Sequence, residues 1–217
     1  MITRVVLADD HGIFLAGLRR VLEQHADIDV VGVASNGLEA VVLAADLKPD
    51  VVVMDVAMPG LNGVEATRQI REQVPGTRVI ALSMHADRTF VMGMLQAGAA
   101  GYLSKDSAAE ELVTAIRVVH DGKVYLSPHV AHVVVESSLS HQPSRSGENR
   151  SLLSNREREV LQLVAEGKTT REIALSLEVG EKTVETYRRR IMGKLKLHSL
   201  AELVKYAIRE GLTTARR

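Results

Sequence analysis

Short runs of β-branched and aliphatic residues alternate along the first 120 positions with longer stretches whose apolar residues recur every three or four places. The runs are Arg4–Ala8, Ile28–Ala34, Val51–Met54, Arg78–Leu82 and Ala99–Leu103. They are too short for helices and largely apolar on both faces, the pattern of strands buried between two layers. Between them, Phe14, Leu18, Val21 and Leu22 keep helical spacing, as do Leu38, Val41, Val42 and Ala45. Val64–Val74 and Arg88–Ala97 read as helices too. A last stripe, Leu112, Ala115, Ile116 and Val119, follows Ser107 and Glu110 at the spacing of a capping box. Pro49-Asp50, Met58-Pro59-Gly60 and Pro75-Gly76 separate the elements. Five βα repeats with apolar strands predict a parallel sheet covered on both faces, and right-handed crossovers make it a doubly wound (βα)5 α/β domain.

The last third changes character. Three capping boxes, Ser154/Glu157, Thr169/Glu172 and Ser199/Glu202, mark helix starts, and Gly167 and Gly211 are placed to end the first and last helices. A further helix spans Glu181 to Leu195, giving an all-α, four-helix unit. Between the two parts, Pro128 opens a short helix near 128–137, and the polar stretch 138–151 reads as a flexible tether. The expected organisation is a domain over 1–121, a linker over 122–151 and a helical domain over 152–217.

Composition is that of an ordinary globular chain, with 46 % hydrophobic and 25 % charged residues and a formal net charge of zero. The zero conceals a division. Residues 1–127 carry 11 Lys/Arg against 16 Asp/Glu, whereas residues 151–217 carry 14 against 9. An acidic front suits metal or phosphate chemistry, and a basic rear suits a polyanion. The absence of cysteine excludes disulfides and thiolate metal sites. No apolar run reaches the ~20 residues needed to cross a bilayer, and no signal-peptide core precedes Asp9. A cytoplasmic protein with no membrane partner is expected.

Asp9, Asp10, Asp55, Ser83 and Lys105 each lie at or just after the end of a predicted strand. In a parallel sheet those ends open on one edge, so the five side chains are expected to converge. Carboxylates can hold Mg²⁺ and one can accept a phosphoryl group, while a hydroxyl and an ammonium can grip its oxygens. With Met58-Pro59-Gly60-Leu61-Asn62-Gly63 after Asp55, and Tyr102 before Lys105, residues 2–121 resemble the flavodoxin-like receiver domains of bacterial two-component response regulators. The resemblance implies Asp55 as phosphoacceptor, and Asp10, Asp55 and the Ala57 carbonyl as Mg²⁺ ligands with Asp9 acting through water. It also implies Ser83 and Lys105 on the phosphoryl group and an inward swing of Tyr102. Asp106 stands where many receivers have proline. His11 reads as a loop or helix-start residue, not a ligand.

In the rear, Leu153-Ser154, Arg156-Glu157, Glu159-Val160-Leu161, Glu172-Ile173-Ala174, Thr183-Val184 and Lys194-Leu195 resemble the LuxR-type helix-turn-helix domain of the NarL/FixJ regulators. A helical wheel for 181–195 puts Val184, Ile191 and Leu195 inward and Lys182, Thr186, Arg189 and Gly193 outward. In such a motif this helix enters the major groove of DNA. Glu185, Thr186 and Arg189 are the expected base contacts. Lys182, Thr183, Arg188, Arg190 and Lys194 are the expected phosphate contacts. Leu200, Leu203, Val204 and Ala207 offer a dimer helix.

The combined expectation is a DNA-binding transcriptional response regulator, not an enzyme. A histidine kinase would phosphorylate it with Mg²⁺, and it would act on promoter DNA as a homodimer. Its rivals are a phosphate-independent regulator with a vestigial receiver, and an aspartate-nucleophile phosphatase. Against the latter, Ala57 occupies the place where those enzymes keep an acid/base aspartate.

Overall fold

The computed structural model describes residues 2–84, 87–139 and 152–213. The chain falls into two compact units, Met1–Ser140 and His141–Arg217.

In the first unit the strands are β1 (Thr3–Ala8), β2 (Ile28–Ala34), β3 (Val51–Asp55), β4 (Arg78–Ser83), β5 (Gly101–Ser104) and β6 (Tyr125–Leu126). All pair in parallel, in the order β2-β1-β3-β4-β5-β6. The helices are α1 (Gly12–Leu22), α2 (Gly37–Leu47), α3 (Gly63–Gln73), α4 (Arg88–Ala97), α5 (Ala108–His120) and α6 (Pro128–Leu139).

The two-residue period of the strands divides the core. Val5, Leu7, Val51, Val53, Ile80, Leu82 and Leu103 face α1 and α5. Val6, Ala8, Val52, Met54, Val79, Ala81 and Tyr102 face the layer of α2, α3, α4 and α6. Side chains buried on both faces are why these strands lack polar alternation. The chain passes from β1 outward to β2 and then back across β1 to β3. The β1/β3 crevice is therefore the switch point of the sheet, where ligands of doubly wound folds sit.

Three expectations need correction here. The sheet has a sixth strand, which the sequence hides because two residues, Tyr125 and Leu126, carry too little pattern. Residues from 122 to 139 are not a free linker: β6 pairs with β5, and Val130 of α6 is fully buried against the sheet. The polar tether expected over 138–151 lies, from residue 140 onward, outside the described residues. Nor does Ser107 make a capping box with Glu110. Lys105–Ser107 forms a 3₁₀ turn capped by Ser104, and Ser107 turns its hydroxyl to the Ser104 carbonyl at 3.4 Å.

The second unit contains α7 (Asn155–Ala165), α8 (Thr170–Ser176), α9 (Glu181–Leu195) and α10 (Leu200–Arg209). All three capping boxes form. Gly167 and Gly211 adopt the left-handed φ of +83° and +68° that a helix-terminating residue needs and that glycine reaches without strain. Val160, Leu161, Leu163, Ile173, Val184, Ile191, Leu203 and Ala207 make its core. Among the described residues no helix is long and apolar enough to cross a membrane.

Candidate phosphoacceptor pocket and nucleic-acid interface

Asp9 and Asp10 follow β1, and Asp55 ends β3, so the carboxylates flank the switch point. Asp55 and Asp9 are buried. The loop after β3 is drawn tight: Gly63 donates its N–H to the Val56 carbonyl at 3.0 Å. A Cβ at position 63 would lie 2.0 Å from the Asp55 carbonyl oxygen, so only glycine lets α3 begin this close to the phosphoacceptor candidate. The Ala57 N–H reaches Asp55 Oδ1 at 3.4 Å.

Lys105 arrives from the end of β5. Its Nζ lies 2.6 Å from Asp9 Oδ2 and 3.1 Å from Asp55 Oδ2, and the side chain is only 7 % exposed. The Phe14 ring of α1 lies against it, 5.1 Å from Nζ to the ring centre, a favourable cation–π arrangement. Burial pushes the Asp55 carboxyl up from its usual value. Lys105 pulls it back and the neighbouring Asp9 charge adds to the rise.

Ser83 ends β4, buried, paired in register with Ser104 of β5. Tyr102 is wholly buried and hydrogen-bonded to Ser83. Burial pushes its phenol up to about 12, a rise the Ser83 bond reduces and Asp55 increases. The ring thus already lies inside in this structure.

All five sequence-selected residues of the first unit gather at this edge. His11, set aside in the sequence, belongs with them. Its Nδ1 lies 3.0 Å from Asp9 Oδ1 and 3.0 Å from Asp10 Oδ1. Ligand atoms of Asp9, Asp10, His11 and Asp55 lie within 4.8 Å of one another. Three carboxylates against one ammonium leave negative charge on hard oxygen donors, a set that fits Mg²⁺. The signal for His11 and Phe14 was there: both lie in the first turn after the acidic pair.

In the second unit, α9 follows α8 across the short turn 177–180, a helix-turn-helix. Val184 and Ile191 are buried, Tyr187 and Leu195 half-buried. Lys182, Thr183, Glu185, Thr186, Arg189 and Arg190 are exposed together on the opposite side. Glu185 makes no ion pair among the described residues, and Thr186 donates its hydroxyl to the Lys182 carbonyl at 2.8 Å, leaving its oxygen as an acceptor. Arg188 is half-buried and reaches Thr170 of α8 at 3.3 Å.

Two expectations change. Lys194 turns away from this face to Glu157, with Nζ 2.6 Å from Oε2. A buried carboxylate outcompetes water for that ammonium. On α10, Leu203 and Ala207 fill the core, so the outward apolar stripe is Leu200, Val204 and Ile208. The expected set mixed the two faces because the helix is apolar over more than half its circumference.

Residues 5–117 match the family described as "Response regulator receiver domain", and residues 151–207 match "Bacterial regulatory proteins, luxR family". The response regulator UvrY of Escherichia coli (strain K12) is 40 % identical over 211 residues, spanning 97 % of this chain and 96 % of its own. A solved two-component response regulator of the LuxR family from Aurantimonas sp. SI85-9A1 is 37 % identical with a TM-score of 0.62. That match covers 64 % of this chain and all of the other. The RcsB–DNA complex is 28 % identical with a TM-score of 0.58, covering 95 % of this chain and 98 % of RcsB.

Proposed function

Because this chain belongs to the two-component response regulators that join a receiver to a LuxR-type DNA-binding domain, we propose that Asp55 accepts a phosphoryl group from a histidine kinase and thereby controls promoter binding by α9. An Asp55 carboxylate oxygen attacks phosphorus, and the O–P bond forms as the P–N bond of a phosphohistidine breaks. The imidazole leaves with the electron pair and is protonated from solvent. Asp10, Asp55 and the Ala57 carbonyl would hold Mg²⁺, with Asp9 reaching it through water. The ion supplies charge neutralisation on the phosphoryl oxygens when bound. Lys105 and Ser83 grip the same oxygens. The observation that carries this reading is the placement of Lys105 Nζ between Asp9 and Asp55, buried at the strand edge.

A charge added at Asp55 draws on Ser83, and the Ser83–Tyr102 hydrogen bond passes the change to β5. This is a population shift between two arrangements of one domain. In the second unit, Arg189, Glu185 and Thr186 would read base edges, with Lys182, Thr183, Arg188 and Arg190 on phosphates. Leu200 and Val204, with Ile208, would join two protomers, matching an inverted-repeat operator. The site of action is the cytoplasm.

The test is labelling of the full chain with acetyl phosphate in Mg²⁺, alongside a promoter reporter in cells. The wild type is expected to take one phosphoryl group, and Asp55→Asn none, with loss of the promoter response. An unaltered promoter response in Asp55→Asn would favour a phosphate-independent regulator.

A further inference from the structure

The Lys105 ammonium meets two carboxylates and one aromatic ring, those of Asp9, Asp55 and Phe14. The Asp9 contact is one of charge and not of direction. Nζ stands 2.6 Å from Asp9 Oδ2, yet that buried oxygen accepts no hydrogen bond, so the pair lacks the angle that would fix the ammonium. Asp55, at 3.1 Å, is the group that phosphoryl transfer alters. Once one of its oxygens is bonded to phosphorus, the carboxylate charge is gone and the negative charge belongs to the phosphoryl oxygens. The ring is the contact that the chemistry leaves unchanged. Phe14 sits beside the inward stripe of α1, Leu15, Leu18 and Leu22, and is itself partly buried. Its ring centre is 5.1 Å from Nζ, inside the ~6 Å over which the negative face of a ring attracts a cation.

We infer that Phe14 is a positioning residue for phosphoryl transfer: its ring face keeps the Lys105 ammonium at the pocket while Asp55 passes from carboxylate to acyl phosphate. The inference rests on the phosphoacceptor reading above. A lysine ammonium is strongly hydrated and rides on a flexible four-carbon stem, so an unsupported one turns toward water. Here the side chain stays 7 % exposed. An aromatic face suits the task because it attracts the cation without offering a rival oxygen. A carboxylate in the same place would bind the ammonium more strongly and would compete for it with the phosphoryl group. A contact of this kind is worth about fivefold in a rate.

The test is the rate of labelling of the full-length chain by acetyl phosphate in saturating Mg²⁺. The wild type is compared with Phe14→Leu, Phe14→Tyr and a chain carrying trifluorophenylalanine at position 14 alone, which leaves Phe90 untouched. Leucine keeps an apolar filling and removes the ring. Fluorination drains negative charge from the ring face at nearly constant shape, a change that a residue serving only to fill the core would not register. Phe14→Leu and the fluorinated chain are both expected to label about fivefold more slowly. Phe14→Tyr retains an aromatic face and should stay within about twofold of the wild type. A fluorinated chain that labels at the wild-type rate would overturn the role assigned to Phe14, as would an unchanged rate in Phe14→Leu or an equal loss in Phe14→Tyr. A wild-type chain that takes no label would instead overturn the phosphoacceptor reading of the whole pocket.

Discussion

Lys194 of α9 is joined to Glu157 of α7 by a 2.6 Å contact, although it lies on the helix that carries the exposed Arg189 and Arg190. The Glu157 side chain is 4 % exposed and Lys194 42 %. Removing the ammonium would leave a buried carboxylate with only its Ser154 bond to offset the burial. Lys194→Met is therefore expected to lower stability by roughly 2 kcal/mol, below the ~3–5 of a fully buried pair because Lys194 is half in water. Its DNA affinity should keep the wild-type salt dependence. Arg190→Met, by contrast, should leave stability nearly unchanged and reduce the slope of log K against log salt by about 1. Urea unfolding and binding at several salt concentrations separate the two.

The same carboxylate belongs to a set whose titration is readable. Burial would raise the Glu157 pKa, but bonds from Lys194 and Ser154 outweigh it and hold the group below the ordinary 4.5. Glu172 is held low chiefly by the Thr169 backbone N–H, and Glu202 by that of His198. A depressed folded-state value means that the stabilisation is fully present above pH 4.5 and drains away as pH falls through the lower folded value. The amide resonances of Ser154, Thr169 and His198 should accordingly move with midpoints below 4.5. Midpoints at or above 4.5 would contradict this account.

On α10 two neighbouring leucines have opposite fates. Leu203 is buried in the core and Leu200 is 52 % exposed. Leu203→Asp would bury an unpaired charge and should cost more than ~4 kcal/mol, enough to unfold the unit. Leu200→Asp and Val204→Asp should change stability by less: about 0.5 kcal/mol for the exposed leucine, somewhat more for half-buried Val204. Both should weaken self-association of the phosphorylated chain in sedimentation. Unchanged self-association would remove α10 from the protomer contact.

Tyr102 is tied to the segment of β6 and α6 as well as to the pocket. Its carbonyl accepts the Ser127 N–H at 3.1 Å, and Ser127 immediately precedes α6 and accepts its Ala131 N–H. A change at Ser83 and Tyr102 should therefore reach α6 through β5 and β6. Hydrogen exchange over residues 125–139 is expected to alter when beryllofluoride occupies the Asp55 pocket. Exchange altered only around the ends of β4 and β5 would sever α6 from the switch.

Strand count and pocket membership were legible to different degrees. β1, β3 and β4 announce themselves because both faces are buried, and Asp55 is found because it ends such a run. β6 could not be read: its two residues gain their conformation from the ladder with β5, a long-range contact that leaves no local pattern. His11 was readable as a neighbour of the acidic pair, but its ring direction depends on the backbone at the start of α1. Lys194 failed for the same kind of reason. A helical wheel places it near the basic face, and only the burial of Glu157, 37 residues earlier, decides where its ammonium goes.

Because Val130 is built into the core and β6 closes the sheet beyond β5, the practical seam for domain exchange lies after Leu139 and not after α5. A chimera grafting this sensor onto a foreign effector at residue 122 would strip the sheet of a strand and open a hole beside Tyr102. One joined beyond 139 would carry the whole transmitting apparatus with it.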